Sequence, residues 1–228
     1  MNNQATNLNG EELEEIIFKY LLVGGTGVGK SSILLRYTEH RLEKEHNITV
    51  AVDFRSRVLN FENKAMIKLQ IWDTAGQVTF GSIVRSFYRD AAAIFLVYNI
   101  KNRESFLAIE KWLEEVRENC DSDPIYILIG NQADDDYGRE VTYDEGVEFM
   151  KQNDLSFFFE TSASDGKNIE LAFMEATSLI YLNYVKDRKG LMSGKSSVNL
   201  KDHQVGQRLT VKKSKAPKKF STKNCCSN

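Results

Sequence analysis

No apolar run in this chain is long enough to cross a bilayer. The longest near the middle, Ala91-Ala92-Ala93-Ile94-Phe95-Leu96-Val97-Tyr98, has eight residues, against the roughly 20 that a spanning helix requires, so no membrane-spanning helix is expected. Cysteine is scarce. Cys120 stands alone in the body and Cys225-Cys226 close the sequence, which leaves no disulfide framework and fits a reducing cytosol. The segment Met1 to Glu15 holds four Glu and has neither a positive start nor an apolar core, so it does not read as a secretory signal. Net positive charge is missing from the body. From Arg188 onward, 11 Lys/Arg face one acid, Asp202, so the tail carries +10; with a formal net charge of −2, residues 1–187 carry −12. An acidic body of that size argues against nucleic acid as the main partner, whereas the basic tail points to anionic lipid. Internal repeats are absent.

What is present is enough for one substantial core. At 228 residues and 42% hydrophobic composition, the chain suits a single globular domain with a tail. Short apolar runs alternate with amphipathic stretches, the pattern of βα units on a mostly parallel sheet. Strands are expected over Ile16–Val23, Val50–Leu59, Met66–Trp72, Ala93–Asn99, Ile125–Gly130 and Phe157–Glu160. Helices are expected over Lys30–Thr38, Glu104–Asn119, Tyr143–Asn153 and Asn168–Lys186. The second has an apolar face of Ser105, Phe106, Ile109, Trp112, Leu113 and Val116. Thr142 with Glu145 three residues on makes a capping box for the third. Past Lys186 the periodicity stops, and Ser, Lys, Gly and Asn dominate a segment too polar to offset its ordering entropy. The expected organisation is a flexible acidic extension over 1–15, a domain over 16–187, and a disordered basic tail over 188–228.

The apolar run Ile16–Val23 leads into Gly24-Gly25-Thr26-Gly27-Val28-Gly29-Lys30-Ser31, followed by Ser32-Ile33-Leu34-Leu35-Arg36-Tyr37. Strand, glycine loop and helix in that order make a phosphate cradle, against the competing reading of a glycine-rich hairpin turn. Glycines let backbone N–H groups turn inward around a polyphosphate, and the helix presents its positive N-terminal dipole. Lys30 neutralises phosphate charge and the Ser31 hydroxyl can ligate Mg²⁺.

Three further motifs sit at the ends of expected strands, where open α/β sheets bind their ligands. Asp73-Thr74-Ala75-Gly76-Gln77 supplies a carboxylate for Mg²⁺, an unobstructed Gly76 N–H for a terminal phosphate, and Gln77 to orient a water for in-line attack. In isolation such an Asp-Thr more often caps a turn. Asn131-Gln132-Ala133-Asp134 offers a carboxylate that accepts from the N1–H and exocyclic amine of guanine. Adenine lacks that donor pair, so a buried Asp would be left unpaired and adenine rejected. Glu160-Thr161-Ser162-Ala163 can present a backbone N–H to the guanine carbonyl. Four such motifs in this order and spacing form a specific signal.

On these residues the chain resembles the Rab family of Ras-superfamily small GTPases. The resemblance covers roughly Phe18 to Tyr184 and the last four residues. Lys68-Leu69-Gln70-Ile71-Trp72-Asp73-Thr74-Ala75-Gly76-Gln77 and Leu96-Val97-Tyr98 are its most Rab-specific segments. Val50-Ala51-Val52-Asp53-Phe54 is similar to the switch I signature and Phe87-Tyr88-Arg89 to the end of switch II. No helical insertion follows Asp134, unlike the Rho branch. The resemblance implies a P-loop domain with a mostly parallel six-stranded sheet and helices on both faces. It implies that Gly24 to Ser32, Thr49, Asp73 to Gly76, Asn131, Gln132, Asp134, Ser162, Ala163 and Ser164 hold GTP or GDP. Ser31, Thr49 and Asp73 would hold Mg²⁺, while Lys30, Thr49, Gly76 and Gln77 carry catalysis. Phe54, Trp72 and Phe87 would form the patch that effectors read, with core packing as the alternative for Phe54 and Phe87.

Several positions depart from that pattern. Gln132 and Ser164 each stand where Rabs usually carry Lys. Leu42, twelve residues after Lys30, stands where an aromatic usually meets the base. The loss of a stack and a charged brace costs on the order of 1–2 kcal/mol each, which predicts fast nucleotide exchange with guanine specificity kept by Asp134. Ala51 replaces a usual Gly, and Val78-Thr79 a usual charged pair, so no individual regulator or effector transfers by analogy. Thr26 lies where bulk affects activator insertion in Ras. No arginine is placed to act as a finger in cis, so hydrolysis is expected to be slow until an activating protein supplies one, a contribution of about 10³–10⁵ in rate.

The terminal Cys225-Cys226-Ser227-Asn228 lacks the aliphatic middle positions of a single-prenyl box. It resembles the Rab pattern of double geranylgeranylation. Two lipid chains suffice for stable anchoring, and Lys212, Lys213, Lys215, Lys218, Lys219 and Lys223 add about 1 kcal/mol each near an anionic leaflet. A reach of roughly 35 Å for the tail lets the domain stand off the membrane.

The expected protein is a monomeric GTP/GDP switch in vesicle and protein transport. It would work with an exchange factor, an activating protein, a prenylated-Rab carrier and effectors. Its expected place is the cytoplasmic face of an intracellular membrane, in cycle with the cytosol, and its Cys-Cys-Ser-Asn ending is similar to that of the endosomal Rab branch. A membrane-anchored scaffold that hydrolyses little GTP remains the alternative, with an adenine-nucleotide kinase a distant third.

Overall fold

The computed structural model describes residues 13–42, 52–61, 65–74, 76 and 86–193, with side chains to 188. Six strands form one sheet: β1 (Glu14–Val23), β2 (Val52–Phe61), β3 (Ala65–Thr74), β4 (Ala93–Asn99), β5 (Ile125–Asn131) and β6 (Phe157–Glu160). Their order is β2-β3-β1-β4-β5-β6. β2 runs antiparallel to β3, and every other pairing is parallel. Among the described residues the helices are α1 (Lys30–Glu39), α2 (Arg103–Leu107), α3 (Ile109–Asn119), α4 (Tyr143–Gln152) and α5 (Ile169–Ser193). This is the mixed α/β fold that the sequence implies.

Alternation along the central strands sorts the apolar side chains into two cores, one per face. Phe18, Tyr20 and Leu22 of β1 join Phe95 and Val97 of β4 beneath Ile33, Leu34 and Tyr37 of α1 and Phe173 and Ala176 of α5. Leu21 and Val23 join Ile94, Leu96 and Tyr98 beneath Phe106 of α2, Ile109, Leu113 and Val116 of α3, and Met150 of α4. Stacking of Tyr37 on Phe173 at 3.9 Å between ring centroids links the two helices of the first face. Because the strand order turns at β1, the carboxyl ends of β1, β3, β5 and β6 open on one crevice.

Element bounds differ from the sequence expectation where tertiary contacts act. β1 begins at Glu14, two residues into the stretch expected to be a flexible extension, because β3 pairs with it from Ala65. β2 continues two residues past the expected end at Leu59, in register with β3 from Val52↔Thr74 to Phe61↔Ala65, while Val50 and Ala51 lie outside the described residues. The single helix expected over Glu104–Asn119 divides at Ala108 into α2 and α3. The first turn is bound to the end of β4: Ser105 Oγ donates to Asn102 O at 2.7 Å and accepts from Asn99 N at 3.0 Å, while Asn102 Oδ1 accepts from Ser105 N. The Thr142–Glu145 capping box is present at α4. α5 runs seven residues beyond its expected end at Lys186. The described residues up to Arg188 form one compact unit. The expected disordered tail beyond 193 lies outside the described residues, as do residues 1–12. Among the described residues no helix is long and apolar enough to cross a membrane.

Candidate functional site: a glycine cradle and two base loops at the strand ends

β1 ends at Val23 and the backbone turns at once. Gly24 has φ +149°, and a Cβ there would lie 2.2 Å from the carbonyl oxygen of Val97 on β4. Gly29, the N-cap of α1, has φ +93°. These positions admit little besides glycine, which is why the loop can wrap its N–H groups inward at the start of α1. Gly76 lies so near the Gly25–Thr26 peptide that a Cβ would come within 2.4 Å of it. Thr26 and Gly27 are exposed, Gly25 and Ser32 half-buried, and Val28 faces the core.

Lys30, the first residue of α1, is 6% exposed. Its ammonium donates to Gly24 O at 2.9 Å and Gly25 O at 2.8 Å, which leaves one of its three protons for a phosphate. Burial pulls its pKa down to about 8, while the Asp73 charge pulls the other way. Ser31 Oγ donates to Asp73 Oδ2, which brings together two of the three expected Mg²⁺ ligands. One carboxylate and one hydroxyl beside a phosphate cradle suit Mg²⁺, which takes few protein ligands and fills its shell with water and phosphate oxygens. No cluster of three or more His, Cys, Asp or Glu fit for a metal occurs among the described residues. The third expected ligand, Thr49, lies outside the described residues, as do Ala75 and Gln77, which is expected to orient the attacking water. Thr74 turns its hydroxyl inward to Leu22 O at 2.8 Å, so its side chain holds β3 to β1.

The side expected to receive the base is built from side-chain ties. Asn131 is buried at the end of β5. Its amide donates to Val28 O at 2.9 Å, and its Oδ1 accepts from Thr161 Oγ1 at 3.2 Å. One residue thus holds the phosphate loop and the loop after β6. Gln132, at φ +66°, donates from Nε2 to Gly27 O at 3.3 Å. Glutamine therefore keeps the brace of the phosphate loop as a neutral hydrogen bond. Asp134 is exposed at the mouth. Ser162 is buried, and its Oγ accepts from the N–H groups of Ser164 at 3.2 Å and Asp165 at 3.3 Å, which bends the loop around Ala163. Ser164 is exposed, and Leu42 is 43% exposed.

Three supporting residues are invisible to motif reading. Arg36 of α1 donates from Nε to Ala163 O at 2.7 Å and from Nη2 to Ser164 O at 2.5 Å. Arg139 grips both oxygens of the Glu160 carboxylate, at 2.5 and 3.0 Å. Lys167 reaches Ala133 O at 3.0 Å. Basic residues within or beside the motif loops were the available signal.

On the sheet surface Phe54 faces Trp72 across the β2–β3 ladder. Their ring centroids lie 4.7 Å apart, and Phe87 continues the row 5.0 Å from Trp72. Phe54 is 44% exposed, and Trp72 and Phe87 are half-buried. The three form a surface row, and core packing does not describe Phe54.

The family model described as Ras family matches residues 19–182, a span that contains all four strand-end motifs. Proteins of this family are guanine-nucleotide switches that hold GTP or GDP, typically with Mg²⁺, and answer to regulators and effectors. With well over half of its 228 residues matched, the chain belongs to the Ras family and is a small GTPase.

Proposed function

We propose that this small GTPase is a Rab-like switch that hydrolyses GTP and governs vesicle traffic by recruiting effectors in its GTP state. The observation that carries the nucleotide reading is the convergence of the glycine cradle, Ser31–Asp73 and the two base loops on one crevice. Lys30 and the loop N–H groups would hold the phosphates. Asp134, supported by Asn131, Gln132, Ser162, Ala163 and Ser164, would select guanine. Ser31, Asp73 and Thr49 would hold Mg²⁺, whose charge offsets that of the phosphates. Gln77 would orient the attacking water beside Gly76, and an activating protein would supply the missing arginine. The row Phe54, Trp72 and Phe87 supports the effector reading. The basic tail with Cys225 and Cys226 supports membrane attachment through geranylgeranyl groups, delivery by a prenylated-Rab carrier, and a cycle between cytosol and the cytoplasmic face of an internal membrane.

The neutral Gln132 brace and the exposed Leu42 favour faster exchange than the family norm. The deciding experiment follows release of a fluorescent GDP analogue from the full-length protein in Mg²⁺, chased separately with GTP and with ATP. Chase by GTP alone is expected. Release within seconds supports a self-loading switch, and release over many minutes supports one gated by an exchange factor. Equal chase by ATP overturns the guanine reading. Undetectable single-turnover hydrolysis, with and without an activating protein of the family, would favour the scaffold. Mass spectrometry of the C-terminal peptide from cells reads the lipid: two geranylgeranyl groups are expected, and unmodified cysteines would count against the Rab assignment.

A further inference from the structure

We propose that Lys167 is a positioning residue for guanine, whose ammonium clamps the two base loops together and sets how long a guanine nucleotide is held. The proposal rests on the guanine reading above. Lys167 Nζ donates to Ala133 O at 3.0 Å. That oxygen belongs to the peptide joining Ala133 to Asp134, so the lysine holds the backbone unit that aims the base-reading carboxylate. Asp134 is exposed, and its direction depends on the backbone that carries it.

Lys167 is itself well seated. Its N–H donates to Asp165 Oδ1 at 2.9 Å, and its carbonyl accepts from Ser162 N at 3.1 Å. Ala133 is gripped from the other side as well, where its N–H donates to Thr161 O at 3.0 Å. The loop that carries Lys167 cannot simply follow Ala133 outward, because Arg36 ties Ala163 O and Ser164 O to α1. Release of a base held between Asp134 and Ala163 requires these loops to part. The Lys167 ammonium spans the gap they would open. Ser164 supplies no ammonium to this loop, and Lys167 is the sole lysine between Thr161 and Asn168.

The test loads the full-length protein with a fluorescent GDP analogue in Mg²⁺ and chases it with GDP. Lys167→Met keeps the stem and removes the donor; release about fivefold faster is expected, a partly exposed charged hydrogen bond being weaker than a buried one. Lys167→Arg restores a donor to the same carbonyl and should release within about twofold of wild type. Lys167→Gln, too short to span the gap, should behave like the Met variant and guards against a fold defect peculiar to methionine. Melting temperatures of the nucleotide-free variants should match wild type. Lys167→Met release at the wild-type rate, or Lys167→Arg release as fast as Lys167→Met, overturns the proposal while leaving the guanine reading intact. Wild-type protein that takes up no GDP analogue, or loses it equally to ATP, overturns both.

Discussion

The two halves of the nucleotide crevice are built on different physical terms. The phosphate half is backbone: Gly24, Gly29 and Gly76 let the main chain take paths that a Cβ would block, by Val97 O in the first case and by the Gly25–Thr26 peptide in the last. The base half is side chains: Asn131, Gln132, Arg36, Arg139 and Lys167 each reach from one segment to another. Backbone sterics are all-or-none, because a close-packed chain has nowhere to move. Side-chain ties near the surface, such as those of Gln132 and Lys167, are graded, since water replaces part of what is lost, and the buried Asn131 is the exception. Substitution should therefore abolish function on the phosphate side and tune it on the base side. In this chain the departures from the family pattern at Leu42, Gln132 and Ser164 concern the base side.

The sharpest break in that contrast comes from Gly24→Ala. With Val97 O 2.2 Å from the new Cβ, β1 or β4 must shift, which costs about 3 kcal/mol or more. A melting temperature lower by roughly 10 °C and loss of measurable GDP binding are expected, by calorimetry on the purified variant. Wild-type stability would mean that the cradle is slack.

Next in size is a pH effect. A lysine lowered to about 8 in the fold binds fewer protons than in the unfolded chain between that value and its ordinary one. Stability of the nucleotide-free protein therefore rises with pH across that window. Bound polyphosphate restores the charge, so nucleotide uptake captures a proton, and affinity should fall by up to about tenfold per unit above pH 8. Titration calorimetry in buffers of different ionisation heat reads both quantities. A flat profile would show the ammonium charged throughout.

The smallest effect should belong to Gln132→Lys. A charged donor to Gly27 O in place of the 3.3 Å amide contact is about twice as strong. GDP release about three- to tenfold slower is expected in a chase experiment. Unchanged release would mean that the brace at residue 132 does not set the release rate.

The phosphate loop was legible in the sequence because its chemistry is local: glycine, lysine and serine at fixed spacing act through their own backbone. The capping box at Thr142 was legible for the same reason. The split at Ala108 was not, because an unbroken apolar stripe hides a serine that bonds back to β4. Nor were Arg36, Lys167 and Arg139, whose partners lie 127, 34 and 21 residues away. No periodicity or motif encodes such a pairing.

By itself, then, the sequence determined the layering, the four strand-end motifs and the class of ligand, since alternation, glycine conformational freedom and donor chemistry are properties of short segments. Only the tertiary structure decided which side chains lock those segments together: Asn131 between the phosphate loop and Thr161, Arg36 from α1 to Ala163, and Lys167 behind Asp134. A tie between loops depends on where the sheet delivers their ends, and that is fixed by strand order and register rather than by neighbours in the chain.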